Sequence, residues 1–297
     1  MASETLSLET ADGLSLVLSE SVFSYETFPG NFGAPPINYV TRSGYKQHGS
    51  TEVDYLLQPR DFEIEFWRAA ACDRTEYWQN RAELLEILRP NRNGQLTFSV
   101  NRVDGSQRSL KVRATPGLQF NAQRTNDWNI RESISFTAFD PVWFNPTINS
   151  LVVASAISND LVFPITFPIQ FGASGRLFTQ SITYPGTWPS YPTLTVTGPY
   201  SSATITNLTT GVTIYLTVPI LAGETRTLDL TPGSQSLTDQ DGDDAFGNLG
   251  PTSNLVNFNI RPDPEVPGGI QTIQAVLYGA SGASGFTLEY YDKYFGI

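Results

Sequence analysis

One cysteine, Cys72, one histidine, His48, and one methionine in 297 residues remove most of the usual site chemistry at the outset. A single thiol cannot close an intramolecular disulfide, and Cys72 with His48 cannot by themselves build a thiolate or mixed thiolate–imidazole zinc site. A hydroxyl nucleophile needs a base. His48 is the lone imidazole, it lies in Gln47-His48-Gly49, and no G-x-S-x-G elbow accompanies it, so a structural or interface role is expected of it rather than a catalytic one. The 29 Asp/Glu leave a glycosidase open, because the spacing of its two carboxylates depends on the fold.

Charge is scarce as well. Charged residues make up 16% of the chain, against roughly a quarter in average soluble proteins. The 18 Lys/Arg are outnumbered, giving a net charge of −11. Duplex binding is dominated by cation contacts that release counterions, so a nucleic-acid reader is not expected. No apolar run approaches the roughly 18 residues of a membrane span, and MASETLSLET has neither the basic nor the apolar segment of a signal peptide. A soluble chain, not secreted by a signal peptide and without membrane insertion, is the expectation.

What is abundant points to β structure: 12% aromatics, 24 glycines and 20 prolines suggest many short strands joined by turns. The length suits two domains, each able to bury its own core, or one large β domain. A change in charge density locates the step, because residues 1–150 hold 14 Lys/Arg and 18 Asp/Glu while residues 151–297 hold 4 and 11. A proline-punctuated stretch, LVFPITFPIQFG, follows that step and reads as connector or edge strand.

In residues 1–150, Asp61-Phe62-Glu63-Ile64-Glu65-Phe66 alternates charge with apolar bulk and predicts a strand burying Phe62, Ile64 and Phe66. One segment switches to helical period, with Tyr77, Leu84, Leu85 and Leu88 on one face. Asp73 and Glu76 stand in capping-box spacing and Pro90 is a stop, predicting a helix over about 74–88. Further strands are expected at Leu96–Val100, after a hairpin turn at Asp104-Gly105 at Leu110–Val112, and at Ile130–Phe139. The segment Pro35–Gln58, polar with Tyr39, Tyr45 and Tyr55, is either a long hairpin arm or a surface loop.

Residues 151–297 show only strand signals: Leu194–Val196, Ala203–Thr206, Val212–Val218, Thr225–Leu230, Leu255–Ile260, Ile270–Tyr278 and Phe286–Tyr291. Such a series suggests an antiparallel sandwich. Asp239-Gln240-Asp241-Gly242-Asp243-Asp244 resembles a calcium loop in composition but fails the EF-hand pattern, so a solvated acidic turn is expected and no metal. Asn207-Leu208-Thr209 reads as a turn rather than a glycosylation acceptor, and the glycines near Gly30 and Gly33 form no phosphate cradle, so no cofactor is expected.

Several segments in order resemble the distal tail proteins of siphoviruses, the long-tailed non-contractile bacteriophages. They are Gln47-His48-Gly49, then Pro59-Arg60-Asp61-Phe62-Glu63-Ile64, Leu88-Arg89-Pro90, and Phe139-Asp140-Pro141-Val142-Trp143. Gly186-Thr187-Trp188, Tyr191-Pro192-Thr193-Leu194, Ile205-Thr206-Asn207, Leu221-Ala222-Gly223-Glu224-Thr225, Ser253-Asn254-Leu255 and the terminal Tyr290–Gly296 follow. Pro267-Gly268-Gly269-Ile270 departs from the pattern by lacking an asparagine.

The resemblance implies a mostly β chain. Its N-terminal domain, residues 1–150, would be a β-barrel or β-sandwich with one α-helix that closes into a hexameric ring. Its C-terminal domain, residues 151–297, would be a galectin-like antiparallel β-sandwich. It further implies a non-enzymatic place in the virion, at the tail tip, touching the tail tube protein, the tape-measure protein and a baseplate hub or tail-associated protein. Tyr39, Tyr45, His48 and Tyr55 would belong to the arm between subunits. A carbohydrate-binding module is the alternative, with Trp188, Tyr191 and Tyr200 as stacking aromatics, and a cell-wall hydrolase is the third reading.

Overall fold

The computed structural model describes residues 4–18, 24–25, 32–68, 74–90, 95–115, 130–153 and 175–297. The LVFPITFPIQFG stretch, Cys72 and the expected cap Asp73 lie outside them. The chain forms two compact units, Met1–Pro146 with Tyr294–Ile297, and Thr147–Lys293. The last four residues, which the strand pattern assigned to the second domain, therefore belong to the first unit.

The first unit is a set of antiparallel strands with one α-helix among the described residues. Strands β1 (Thr5–Glu9) and β2 (Ser15–Leu18) pair so that Leu6 faces Leu18 and Leu8 faces Leu16, and all four are buried. β1 also pairs with β7 (Leu96–Asn101), and β7 with β8 (Gln107–Ala114) across the expected turn, where Arg102 N–H reaches Ser106 O at 2.9 Å. The short β3 (Ser24–Tyr25) pairs with β6 (Arg60–Arg68), which lies against β9 (Ile130–Ala138) along its whole length. Alternation along β6 and β9 buries Phe62, Ile64, Ile134 and Phe136, and the rings of Phe62 and Phe136 stack at 5.5 Å. The side chain of Phe66 is outside the described set.

Helix α1 (Arg74–Ile87) stops three residues before Pro90, within a residue of the expected end. Its inward face is Leu84, Ile87 and Leu88, whereas Leu85 is 44% exposed. Placing Leu84 and Leu85 on one face was the error: consecutive helical residues diverge by about 100°, so only one of them can lie on the midline of a buried stripe.

The second unit is an antiparallel sandwich. One sheet has the order β11 (Gly175–Thr183), β17 (Ile270–Tyr278), β13 (Ser202–Asn207), β14 (Val212–Leu216). The other contains β16 (Ser236–Asp239), β15 (Thr225–Asp229), β12 (Thr193–Thr197) and β18 (Gly285–Tyr294) in that order, followed by β10 (Trp143–Val153), whose first residues belong to the first unit. The inner faces of the two sheets share one core, with Phe178, Ile205, Ile214 and Ala275 from one and Leu194, Val196, Leu228 and Leu288 from the other. Outward positions carry Thr and Ser in cross-strand pairs, such as Thr206 and Thr213 at 3.2 Å, which explains how the unit manages with few charges.

Leu255–Ile260 is not a strand. Asn254 Oδ1 accepts the N–H of Asn257, turning the backbone, and the segment plugs the core with Phe258 and Ile260. Apolar residues in an irregular segment mimic the composition of a buried strand, and periodicity over so short a run cannot separate the two. Strands β1, β2, β3, β10, β11 and β16 are further strands that the sequence pattern does not predict.

Candidate assembly surface

Residues 37–57 form a hairpin of β4 (Ile37–Arg42) and β5 (Thr51–Leu57), a two-stranded sheet that no other described strand joins. Its register places Ile37 opposite Leu57 and Tyr39 opposite Tyr55, so these four share one face, and an irregularity follows Val40. That face is apolar yet open to solvent, with Tyr39 54% and Tyr55 47% exposed. Val40, Val53 and Leu56 are exposed too. An isolated two-stranded hairpin is at best marginally stable in water, and both its edges offer unpaired backbone groups. A hairpin held in this form on a larger domain is therefore suited to contact another chain.

The tip and the root are both fastened. At the tip, Gln47 Oε1 accepts the Gly44 N–H at 2.8 Å and Gln47 Nε2 donates to Thr51 Oγ1 at 2.8 Å, which tethers the turn carrying Tyr45 and His48. Tyr45 is 94% exposed and His48 is exposed beside it. At the root, Gln58 N–H bonds Pro36 O at 2.8 Å.

Arg60 completes the root. It occupies an inward position of β6, two residues before Phe62, and is 1% exposed. Its Nη1 donates to Gly33 O at 2.8 Å, Nε and Nη2 both donate to Pro141 O at 3.3 and 3.1 Å, and Nη2 reaches Phe295 O at 3.4 Å. Its guanidinium lies 5.8 Å from the Trp143 ring centroid. One side chain thus ties the segment entering the hairpin, the turn before β10 and the C-terminal tail. Burial pulls its pKa below the usual arginine range, but a guanidinium stays charged at any working pH, so its donors must be met by such carbonyls.

The C-terminal tail adds its own bonds to this corner. Ile297 N–H donates to Phe32 O at 3.2 Å, and the Arg108 guanidinium sits 3.5 Å above the Tyr294 ring. A Cβ on Gly296 would approach Gly33 O to 2.9 Å, so the close passage of tail and hairpin root requires glycine there.

The role of Arg60 was missed in the sequence, where it figures only within a motif. A signal was present. Extending the alternation of Phe62 and Ile64 back by one step puts a charged residue on the buried face, which calls for buried partners.

The three candidate sugar-facing aromatics do not form an exposed platform. Tyr200 is 2% exposed within the sandwich core, so it presents no face to a sugar, and burial pushes its hydroxyl pKa up to about 12. Its inward position follows from the turn before β13, where Tyr200 and Ile220 exchange backbone bonds. Trp188 and Tyr191 are half-buried. Trp188 O accepts the Tyr184 hydroxyl at 2.6 Å, and a Cβ on Gly186 would collide with the Tyr184 ring, so the Gly186-Thr187-Trp188 motif is a packing device.

The acidic run is a turn. Asp239 Oδ1 accepts the N–H groups of Asp241 and Asp243, and Asp244 Oδ1 accepts that of Phe246. No group of three potential metal ligands occurs among the described residues. Asn207 is fully buried and all four of its amide bonds are made: Nδ2 donates to Gln271 Oε1 and Asn259 O, and Oδ1 accepts from Thr209 and Thr210 N–H. No helix among the described residues is long and apolar enough to cross a membrane.

No family model and no curated protein matches the sequence. The fold, in contrast, is matched over nearly its full length by solved phage structures. The Dit protein of phage SPP1, described as a paradigm of the hub adsorption apparatus in phages infecting Gram-positive bacteria, superposes with a TM-score of 0.63 at 11% identity, covering 97% of this chain and 98% of that one. A chain of the phage P2 baseplate in its activated conformation with calcium matches with a TM-score of 0.53 at 9% identity and the same coverage. The strontium form of that baseplate gives the same values.

Proposed function

We propose that this chain is a structural subunit of a bacteriophage tail tip, a distal tail protein that assembles into a closed ring of six through its first unit. The observation that carries the reading is the end-to-end likeness of the fold to the SPP1 Dit protein, which spans both units and leaves little of either chain unmatched. The exposed, doubly fastened hairpin supports it, because a head-to-tail ring needs each subunit to offer its neighbour a surface of this kind. Tyr39, Tyr55, Tyr45 and His48 are then the arm's contact residues.

In this role the ring joins the tail tube protein, and the tape-measure protein ending there, to a baseplate hub or tail-associated protein. Its work is mechanical. The burial of Tyr200 weakens the glycan-binding alternative.

The test is the solution mass of the purified full-length chain by light scattering, at two protein concentrations and two salt levels. A species of about 196 kDa, six chains of 32.7 kDa, is expected from cyclic closure. A chain that stays at the monomer mass throughout contradicts self-assembly into a ring.

A further inference from the structure

The three Asp-Gly pairs of the chain fold into the same turn. Gly13, Gly105 and Gly242 have φ of +90°, +81° and +86°. Each N–H donates to the carbonyl three residues back: Thr10 O at 3.0 Å, Arg102 O at 3.0 Å and Asp239 O at 3.2 Å. Glycine takes this backbone without a Cβ penalty, and open space lies where a Cβ would sit at all three. Backbones so alike leave the aspartate side chains as the difference.

Asp104 is fastened. Its Oδ1 accepts the Ser106 N–H at 2.9 Å and the Ser106 hydroxyl at 2.6 Å, and its Oδ2 lies 3.6 Å from Arg102 Nη1. The Ser106 hydroxyl, with the Ser106 N–H, holds its carboxyl below the usual carboxylate range. Asp12 has a contact of its own. Asp241 is exposed, and its carboxylate accepts one bond, from Gln240 Nε2 at 3.1 Å.

We propose that Asp241 is a site of spontaneous aspartate isomerisation in the folded chain, and that Asp104, in the same turn, is protected from it. The Gly242 nitrogen attacks Asp241 Cγ and closes a five-membered succinimide, while a carboxyl oxygen leaves as water and takes the amide proton. Water then opens the ring at the former α-carbonyl. The chain now runs through Cβ and Cγ, and the α-carboxyl becomes the free acid. Mass is unchanged overall and nothing is oxidised or reduced.

Both requirements of the attack favour Asp241. The group attacked is the neutral acid, which the Ser106 donors disfavour at Asp104. It must also swing towards the following nitrogen, and the same donors hold Asp104 in place. Glycine at the next position puts no side chain in the way at either site.

The product has one more backbone carbon between Asp239 and Asp243. The return segment of this turn lies along the outer edge of β16, where Asp239 N–H donates to Asp243 O at 3.0 Å and Ala245 N–H to Leu237 O at 2.8 Å. A longer turn shifts that register, so the modification loosens the cover of a sheet edge.

The test ages the full-length folded chain in warm neutral buffer and maps its peptides. Isoaspartate appears as a change of retention without a change of mass, and isoaspartyl methyltransferase labels its free carboxyl. Deamidation of Asn93-Gly94 adds mass and is told apart by that. Isoaspartate at Asp241 should exceed that at Asp104 about tenfold, because the Ser106 bonds must open first at Asp104. In urea the two sites should converge. Equal formation in the folded chain, formation at Asp241 only in urea, or a difference that persists in urea overturns the proposal. Ser106→Ala removes the hydroxyl donor and should raise isoaspartate at Asp104 several-fold, and an unchanged level overturns the protection. Amide exchange at Asp239 and Ala245 should quicken in the aged chain; unchanged exchange overturns the loosened edge.

Discussion

At the scale of single residues, the most consequential side chain is one whose chemistry is entirely structural. Replacing Arg60 by Met keeps length but leaves the carbonyls of Gly33, Pro141 and Phe295 without its donors, and buried acceptors left unsatisfied cost about 1–3 kcal/mol. R60M should therefore lower the first unit's melting transition in calorimetry, and an unchanged transition would remove Arg60 from its anchoring role. Tyr200 supplies a second test. Its hydroxyl is buried with no hydrogen-bond partner and its pKa is raised to about 12 from the ordinary 10. Below pH 10 the folded and unfolded chains both hold the proton. Between about pH 10 and 12 only the unfolded chain releases it, so this group's contribution to stability is lost as pH rises. Tyr200→Phe should match or exceed the parent at pH 8 by up to about 1 kcal/mol. Its advantage should widen in alkaline melts, whereas equal pH profiles would refute the assignment.

At the scale of elements, the hairpin is a projection whose roots are built into the domain. Deleting residues 38–56 while retaining Pro36 and Gln58 should leave a folded chain of monomer mass, because the hairpin adds nothing to the first unit's core. An intact ring after the deletion would exclude the arm. The sequence left this segment open between arm and loop for a physical reason: an exposed hairpin has no buried face to impose alternation, so only its aromatics hinted at strands. β6 shows the opposite situation, since Phe62 and Ile64 are sealed by β9 and the period of two is plain. The helix was legible in its existence and its end before Pro90, but Leu85 was assigned inward.

At the scale of the whole chain, the last four residues belong to the first unit although the strand that delivers them, β18, belongs almost wholly to the second. Truncation after Lys293 removes the Phe295 carbonyl from Arg60, the Ile297 bond to Phe32 and the Tyr294 ring beneath Arg108. The calorimetric trace should show the first unit's transition lowered, by about 2–4 kcal/mol from the lost bonds and burial, with the second unit's unchanged. A selective fall of the second transition would contradict the placement of the tail.

The mostly β class, one helix among the described residues, the inward alternation of β6 and β9 and the turns at Asp104-Gly105 and at Asn207 are legible in the chain's own pattern. These follow from local periodicity and turn chemistry, which a chain carries in every few residues. Composition alone settles the absence of any thiol or imidazole cluster. Long-range packing is what makes Tyr200 core, Arg60 a three-way anchor, and Phe258 and Ile260 fillers of the sandwich outside any strand. Packing likewise returns the tail to the first unit and leaves the β4–β5 hairpin exposed. Each of these depends on which distant segment lies opposite, and no residue carries that information in its own neighbourhood.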